Sequence, residues 1–300
     1  LDLSACTMAG TEFDPGAANT GENRIASLVL PAPAESIKAG KQISPTFKNF
    51  TVLKSFGGVN VTAVGASAFY NRRFLATVDL PAATSIGNYA FADCAALATV
   101  DLPAATGVGN YAFAGCAALE TVNLPKAEIV GYVAFGNCAA LATVDLPAAT
   151  GIGIYAFYNC AALETVNLPA LTSVGTETFE GCSVLATVNL PAAASIGDGA
   201  FIDCVTLATL NIPAVTNVGV GAFLNTGGQA LTITMGQAAP SVSGSGDSAS
   251  STFSKNVTIR TPASPAGYGD TWQTDFKKAF GVSSGSYTVD INLNFETITQ

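Results

Sequence analysis

Six cysteines recur every 22 residues and are the side chains in this sequence best suited to metal or redox chemistry. They are Cys94, Cys116, Cys138, Cys160, Cys182 and Cys204. Each lies three residues after a phenylalanine and three before a leucine, so it shares their interior face. If the repeats stack as coils, in-register Cβ atoms lie about 4.8 Å apart, beyond the usual disulfide range. We expect reduced structural thiols, with a disulfide or a metal site as the alternatives.

Oxygen-bearing side chains form two further columns, which we call the strand-face ladder. Its acid and amide column is Asp79, Asp101, Asn123, Asp145, Asn167, Asn189 and Asn211. Its threonine column is Thr77, Thr99, Thr121, Thr143, Thr165, Thr187 and Thr209. In an extended strand both columns project away from the apolar residues. Such an array suits calcium, sugar hydroxyls or a basic protein surface. The alternative is a solvated face whose side chains hydrogen-bond to one another along the ladder.

Tyrosines occupy a third column on the return side of the repeat, at Tyr89, Tyr111 and Tyr155. The equivalent positions in other repeats are Val133, Glu177, Gly199 and Gly221. Exposed tyrosines would form a contact patch, since Tyr is enriched among the residues that dominate interface energetics. Half-buried packing against the neighbouring repeat is the alternative.

These columns belong to one repeat of 22 residues. Its phenylalanines are Phe69, Phe91, Phe113, Phe135, Phe157, Phe179, Phe201 and Phe223. Such a period, with Leu-x-x-Val-x-Leu inside it, predicts leucine-rich repeat coils stacked into a solenoid. The residues of one coil that we expect to face the core are Ile86, Phe91, Cys94, Leu97, Val100 and Leu102. Thr99 and Asp101 should face solvent, Pro103 should end the strand, and Gly109 should suit a tight corner.

A last column contains Asn, Asp or Gly alone and lies two residues after each phenylalanine. Its members are Asn71, Asp93, Gly115, Asn137, Asn159, Gly181, Asp203 and Asn225. These three residue types tolerate a left-handed backbone at the least cost. The column therefore predicts a turn and is not a binding motif.

Composition and charge exclude several classes of function. The chain has 300 residues, no histidine and a net charge of −9. Without histidine, no Ser-His or Cys-His pair exists, and no other nucleophile and base can be paired, so we expect no enzyme, no cofactor and no metal. Between Phe74 and Thr226 there are eleven acidic residues and one basic residue. This surface would repel phosphate, so no nucleic-acid partner is expected. No apolar run is long enough for a membrane span.

The stretch SIGNYAFADCAAL at Ser85–Leu97, with VDLP after it, resembles the BspA-type leucine-rich repeat of bacterial surface proteins. The resemblance implies a right-handed leucine-rich-repeat coil with short parallel strands. It also implies an exported protein that adheres to host proteins or to other cells, and it carries over no catalytic residue. We expect any secretion signal or anchor either to have been removed or to lie outside the given chain.

Three segments are expected along the chain. Residues 1–58 should form degenerate coils and an N-terminal cap, and residues 59–228 the regular repeats. Residues 229–300 should form a β-rich C-terminal cap, because a solenoid must cover its last open coil. A small docking module with its own partner is the alternative. Strands are predicted at Ala230–Met235, Val257–Pro262 and Tyr287–Ile298, a polar loop at Ser241–Ser251, and a short helix around Trp272.

Two functions remain after these exclusions. The first is a non-enzymatic surface protein, extracellular and monomeric, that binds a host or bacterial protein or glycan. The second is a structural spacer or display stalk that has no ligand of its own. The full-length gene separates them, because an appended domain would favour the spacer.

Overall fold

The computed structural model describes residues 7–9, 12–14, 26–30, 34–39, 46–47, 50–226, 231–236, 240–242 and 257–260. The chain divides into two compact units, Leu1–Ala148 and Ala149–Gln300. The described residues form strands and turns, and none of them lies in a helix. Accordingly, this part of the chain contains no helix that could cross a membrane.

Short strands follow one another along the described residues of both units. In the first unit they are β1 (Thr7–Ala9), β2 (Glu12–Asp14), β3 (Ser27–Val29), β4 (Ser36–Ile37), β5 (Ser55–Gly57), β6 (Ala63–Val64), β7 (Thr77–Asp79), β8 (Ser85–Ile86), β9 (Thr99–Asp101), β10 (Gly107–Val108), β11 (Thr121–Asn123), β12 (Ile129–Val130) and β13 (Thr143–Asp145). In the second unit they are β14 (Gly151–Ile152), β15 (Thr165–Asn167), β16 (Ser173–Val174), β17 (Thr187–Asn189), β18 (Ser195–Ile196), β19 (Thr209–Asn211), β20 (Asn217–Val218), β21 (Leu231–Thr234), β22 (Ser241–Val242) and β23 (Val257–Arg260).

Each regular coil supplies one three-residue and one two-residue strand, and the two kinds pair separately. In the first unit β3, β5 and β7 pair in parallel, as do β9 and β11. The shorter strands β4, β6, β8, β10 and β12 form a second parallel sheet, which begins with the antiparallel pair β1–β2. In the second unit the sheets are β15-β17-β19-β21-β23 and β16-β18-β20-β22. The fold is a parallel-strand leucine-rich-repeat solenoid, as predicted.

The core lies where the sequence pattern places it. The six side chains predicted to face inward from one coil, Ile86 to Leu102, have at most 4% of their surface exposed. In the first unit the phenylalanine rings stack, with centroids 4.4 to 5.3 Å apart, from Phe47 through Phe135. In the second unit they stack at 5.3 to 5.6 Å, from Phe157 through Phe223. Each ring therefore packs on the equivalent ring of the next coil.

Left-handed residues allow alternate amides of the turn to point at the next coil. The predicted Asn, Asp and Gly column is left-handed at all eight positions, with φ between 53° and 75°. The amide of Phe69 donates to the carbonyl of Ala90 at 2.7 Å, and that of Asn71 to Ala92 at 2.8 Å. The intervening Tyr70 amide instead donates within its own coil. The backbone amides of the turn thus all find acceptors, some in the next coil and the others within their own coil.

The repeated glycine has a different role from the one expected. Gly109 does not adopt a left-handed φ. A Cβ atom built on it would lie 2.7 Å from the amide nitrogen of Asn88 in the preceding coil. Glycine is needed here because the backbones of two coils approach closely, and not because the chain turns a corner.

The cysteine column donates hydrogen bonds across the stack. The six cysteines are buried thiols outside any disulfide. The Cys116 Sγ donates to the Phe91 carbonyl at 3.2 Å, and Cys94, Cys138, Cys182 and Cys204 make the same bond at the same distance. Each such carbonyl also accepts an amide from its own coil, so the thiol fills the second lone pair. Burial raises the pKa of Cys94 to about 12, which keeps the thiol protonated.

The same bond is made by other donors at the two ends of this column. Arg72 lies 22 residues before Cys94 and donates from Nη1 to the Phe47 carbonyl at 3.1 Å. Thr226 lies 22 residues after Cys204 and donates from Oγ1 to the Phe201 carbonyl. This position of the coil therefore requires a hydrogen-bond donor, and a thiol, a guanidinium or a hydroxyl can supply it.

The C-terminal predictions are met in part. The strands expected at Ala230–Met235 and Val257–Pro262 are confirmed as β21 and β23. The polar loop expected at Ser241–Ser251 is wrong for its first two residues, because Ser241 and Val242 pair with β20. The helix around Trp272 and the strand at Tyr287–Ile298 lie outside the described residues, and the three segment boundaries stay predictions.

Replacing Cys116 tests this role of the thiol. We expect Cys116→Ala to lower the free energy of unfolding by about 1–2 kcal/mol, through the lost hydrogen bond and a small cavity. Cys116→Thr keeps a donor of the kind found at Thr226 and should recover most of this loss. Denaturant unfolding measures both variants. If Cys116→Ala and Cys116→Thr lowered the free energy of unfolding equally, the packing of the thiol would matter and its role as a hydrogen-bond donor would not.

Candidate functional site

The strand-face ladder lies on the solvent side of its strands, as the sequence predicts. In the first unit its side chains from Thr77 to Asp145 are exposed. In the second unit the asparagines at 167, 189 and 211 are partly buried. Ladder members in neighbouring coils stand opposite one another, as Asn123 does with Asp101.

Hydrogen bonds within the ladder use part of its capacity. Asn123 Nδ2 donates to Asp101 Oδ1 at 2.8 Å in the first unit. In the second unit Asn211 donates to Asn189 at 2.7 Å, and Asn189 to Asn167 at 2.9 Å. Among the described residues no group of three His, Cys, Asp or Glu side chains is placed to hold a metal ion. The ladder therefore has an internal structural role, and its use as a binding site stays a prediction.

Tyrosines cluster on the return side of the first unit. The rings of Tyr89 and Tyr111 stack with centroids 4.6 Å apart and planes 7° from parallel. Tyr132 meets Tyr111 edge-on at 5.2 Å and has 38% of its surface exposed. Tyr70 lies at the other end, where the carboxylate of Asp93 acts on its hydroxyl. We call these four tyrosines together with Asp93 the tyrosine face.

The hydroxyls of the tyrosine face act on one another. That of Tyr111 is influenced by its two neighbours, Tyr132 and Tyr89. Burial, followed by these two neighbours, raises the pKa of Tyr111 to about 12. Burial and then the charge of Asp93 raise the pKa of Tyr70 as well. The phenols of Tyr70 and Tyr111 therefore stay protonated and neutral at physiological pH.

The tyrosine column holds its backbone in a costly conformation. The φ angles are 57° at Tyr89, 56° at Tyr111 and 59° at Tyr155. A left-handed φ costs a residue other than glycine roughly 1–2 kcal/mol. Gly199 and Gly221 occupy the same column with φ of 58° and 59°, so the fold accepts glycine there.

Sequence reasoning identified part of this site. It named Tyr89, Tyr111 and Tyr155, and the structure brings the first two together. Tyr155 belongs to the second unit, where it meets Tyr158 edge-on at 5.7 Å. Tyr70 and Tyr132 were missed because they stand outside the column, at other positions of their coils. The left-handed backbone was missed too, although the two glycines in the same column were a signal for it.

A sequence profile of the BspA type leucine rich repeat region matches residues 22–128 and 106–230, with six copies. This covers well over half of the chain. The chain belongs to the BspA-type leucine-rich repeat family. The resemblance read from the repeat itself is thereby confirmed. No curated protein matches the chain significantly.

Solved structures of leucine-rich repeat proteins resemble this BspA-type chain at sequence identities of 22% or less. The T. pallidum leucine rich repeat protein TpLRR is 22% identical over 67% of this chain and 76% of its own, with a TM-score of 0.42. A leucine rich cell surface protein from Faecalibacterium prausnitzii is 19% identical over 93% and 98%, with 0.42. The pneumococcal vaccine antigen PcpA is 17% identical over 95% and 83%, with 0.45. Similarities this low say nothing about the function of the present chain.

Two glutamates of the second unit, Glu177 and Glu180, interact closely enough to change the pKa of Glu180. Burial raises the pKa of Glu180 to about 7, and a hydrogen bond to Glu177, the charge of Glu177 and that of Asp203 add to the effect. The folded chain therefore takes up a proton on this pair at a higher pH than the unfolded chain does.

Val133 allows the cost of the left-handed column to be measured apart from any tyrosine. It is β-branched, and its φ is 52°. We expect Val133→Gly to raise the free energy of unfolding by about 1 kcal/mol, because the left-handed cost disappears. Val184 is 40% exposed and not left-handed, so Val184→Gly should instead lower stability by about 0.4–1 kcal/mol. Denaturant unfolding compares the two. A loss in both would contradict the assigned cost.

The glutamate pair predicts a pH dependence of stability. Because the pKa of Glu180 is raised on folding, its contribution is favourable at low pH and is lost as the pH rises from about 4.5 to about 7. Glu180→Gln should therefore gain stability relative to the unchanged protein across that window. Thermal unfolding at several pH values measures this. Glu164→Gln removes a charge outside the pair and is the control, and identical profiles for the two variants would contradict the prediction.

Proposed function

We propose that this chain is a non-enzymatic, exported bacterial surface protein that binds a protein partner through its tyrosine face. The observation that carries the proposal is the backbone of Tyr89 and Tyr111, which is held at left-handed φ in a column that two coils of the second unit fill with glycine, at Gly199 and Gly221. Strain at a surface position that a cheaper residue could fill is typical of functional sites. In this proposal the rings of Tyr89 and Tyr111 offset the cost of their backbone by binding a partner.

The tyrosine face is a better candidate than the strand-face ladder. Tyrosine is among the residues that dominate binding energy at interfaces, whereas Thr is under-represented there. The rings of Tyr89 and Tyr111 are already stacked, so little side-chain entropy is lost when a partner binds them. In the ladder, by contrast, some hydrogen-bonding groups are already used between its own side chains, as when Asn123 donates to Asp101.

A protein partner fits this surface better than a glycan. Sugars bind aromatic residues by lying against a ring face. Tyr89 and Tyr111 cover one face of each other at 4.6 Å, and Tyr111 and Tyr132 meet edge to face. What the cluster offers is hydroxyls and ring edges, which resembles the tyrosine-rich surfaces of protein-binding loops.

Export and surface location rest on the expectation that comes with the family. The absence of histidine supports a role without catalysis, since the usual general base is missing. Protease treatment of intact cells, followed by detection of the chain, tests the location directly. Protection of the chain until the cells are lysed would contradict it.

Binding to an array of host matrix proteins, bacterial surface proteins and glycans tests the function. We expect saturable binding to a protein, weakened at least about tenfold in a Tyr89→Gly, Tyr111→Gly double variant. Gly199 and Gly221 show that glycine suits this column. The matched control is Asp79→Asn with Asp101→Asn, because asparagine already occupies that column at Asn123.

Each other outcome of the array has a definite meaning. Loss of binding in the ladder variant alone would transfer the site to the strand face and contradict the proposal. Binding to glycans alone would contradict the choice of partner. A blank array with a cooperatively folded chain would favour the structural spacer.

A further inference from the structure

We infer that the strand sheet of the first unit contains an electrostatic latch between β7 and β9. The latch stays open while Asp79 and Asp101 are both charged, and it closes when one of these charges is removed or screened. This inference is independent of binding at the tyrosine face. It follows from hydrogen bonds that other neighbouring strands make, from the facing carboxylates and from a crevice beneath them.

The strands β7 and β9 belong to neighbouring coils but are not paired, although β7 pairs with β5 and β9 pairs with β11. In the pair β5–β7 the Gly58 amide donates to the Asp79 carbonyl at 3.0 Å. The equivalent bond across the gap would join the Leu80 amide to the Asp101 carbonyl, and the described residues do not make it. Leu80 is fully buried, with 0% of its surface exposed, so an unbonded amide there carries a free-energy cost.

The bond at the other end of the gap is missing as well. In the pair β9–β11 the Glu120 amide donates to the Ala98 carbonyl at 2.9 Å. The equivalent bond, from the Ala98 amide to the Ala76 carbonyl, does not occur in the part of the chain that the structure describes. The strands β11 and β13 are also unpaired, yet they keep this bond, from Ala142 to Glu120 at 3.3 Å. The gap between β7 and β9 is therefore the more complete break.

The same two coils stay joined on either side of the gap. Before β7 the Phe69 amide donates to the Ala90 carbonyl at 2.7 Å, and after it β8 pairs with β10. A crevice beneath the gap is lined by residues that include Val78, Phe91 and Val100. Val78 is half-buried, whereas Val100 has only 4% of its surface exposed. The opening is thus confined to the strands.

Facing carboxylates account for the separation of the two strands. Asp79 and Asp101 are both exposed and hold the same position of the strand-face ladder, so pairing would set them opposite each other. Like charges directly opposite each other destabilise a sheet. Where the described strands do pair, at most one of the two facing ladder residues is charged. Gly57 faces Asp79, and Asn123 faces Asp101 and donates to it at 2.8 Å.

Native-state hydrogen exchange of the full chain, followed by NMR, reads the latch at the amides of Leu80 and Ala98. We expect their protection to be at least about tenfold lower than that of Gly58 and Glu120, whose equivalent bonds are made. Raising the salt concentration from about 0.01 M to about 1 M screens exposed charges. It should raise protection at Leu80 and Ala98 and leave Gly58 and Glu120 unchanged.

The variant Asp101→Asn should close the latch. It removes one of the two facing charges and supplies an amide that can donate to Asp79, as Asn123 donates to Asp101. In the second unit an unbroken run of ladder asparagines already accompanies paired strands. We expect protection at Leu80 and Ala98 to rise about tenfold in this variant at low salt.

The matched control is Asp93→Asn, which removes an equal charge from the same unit at a turn position that asparagine fills in Asn71. It should leave protection at Leu80 and Ala98 unchanged. Equal effects of Asp93→Asn and Asp101→Asn would mean that net charge acts and the facing pair does not, which would overturn the inference. Full protection of Leu80 and Ala98 in the unchanged chain at low salt would overturn it as well, because the latch would already be closed.

Discussion

Backbone hydrogen bonds between equivalent turns of successive coils are the interaction on which the rest of this structure depends. In the turns that begin at residues 67, 89, 111, 155, 177 and 199 three alternate amides donate to the next coil. The amides between them donate within the coil, as at residues 67 to 72. This alternation needs two left-handed residues per turn, four positions apart, such as Ser67 and Asn71. Because every coil repeats the arrangement, each residue stands beside its equivalent 22 positions away.

The other regular columns follow from that register. Equivalent phenylalanines must meet face to face, so they stack at 4.4 to 5.6 Å. Their carbonyls keep a second lone pair inside the core, and burial would make an unfilled lone pair costly. A thiol, a hydroxyl or a guanidinium fills it, depending on the coil, as at Cys94, Thr226 and Arg72. The cysteine column is therefore hydrogen-bonding architecture, and its buried thiols have no part in the proposed binding.

The sequence was sufficient for the periodic part of the fold, because each coil has the same environment as its neighbours. The core positions, the strand face and the Asn, Asp and Gly turn column could all be predicted from residue type and spacing. The donor role of the cysteines could not, since it depends on a carbonyl 25 residues earlier in the chain, as with Cys116 and Phe91.

Irregular features were the harder part of the prediction. Tyr132 joins the tyrosine face from a different position of its coil, so no single column contains the cluster. The second left-handed column was hidden for a related reason. Its residues are Ser, Tyr, Val, Glu and Gly, which share no preference for that conformation. Where a residue conflicts with its own backbone, the pattern of residue types no longer reports the structure, and such conflicts are expected at functional sites.

The central claim is that the tyrosines of the first unit serve a partner and are not needed by the fold. The most direct test is the free energy of unfolding of the Tyr89→Gly, Tyr111→Gly double variant. Glycine removes the cost of a left-handed backbone at both positions, roughly 1–2 kcal/mol each, and this should offset the lost ring stacking and burial. We therefore predict that the free energy of unfolding changes by no more than about 1 kcal/mol. A loss of several kcal/mol would show that the ring stack is structural and would contradict the claim.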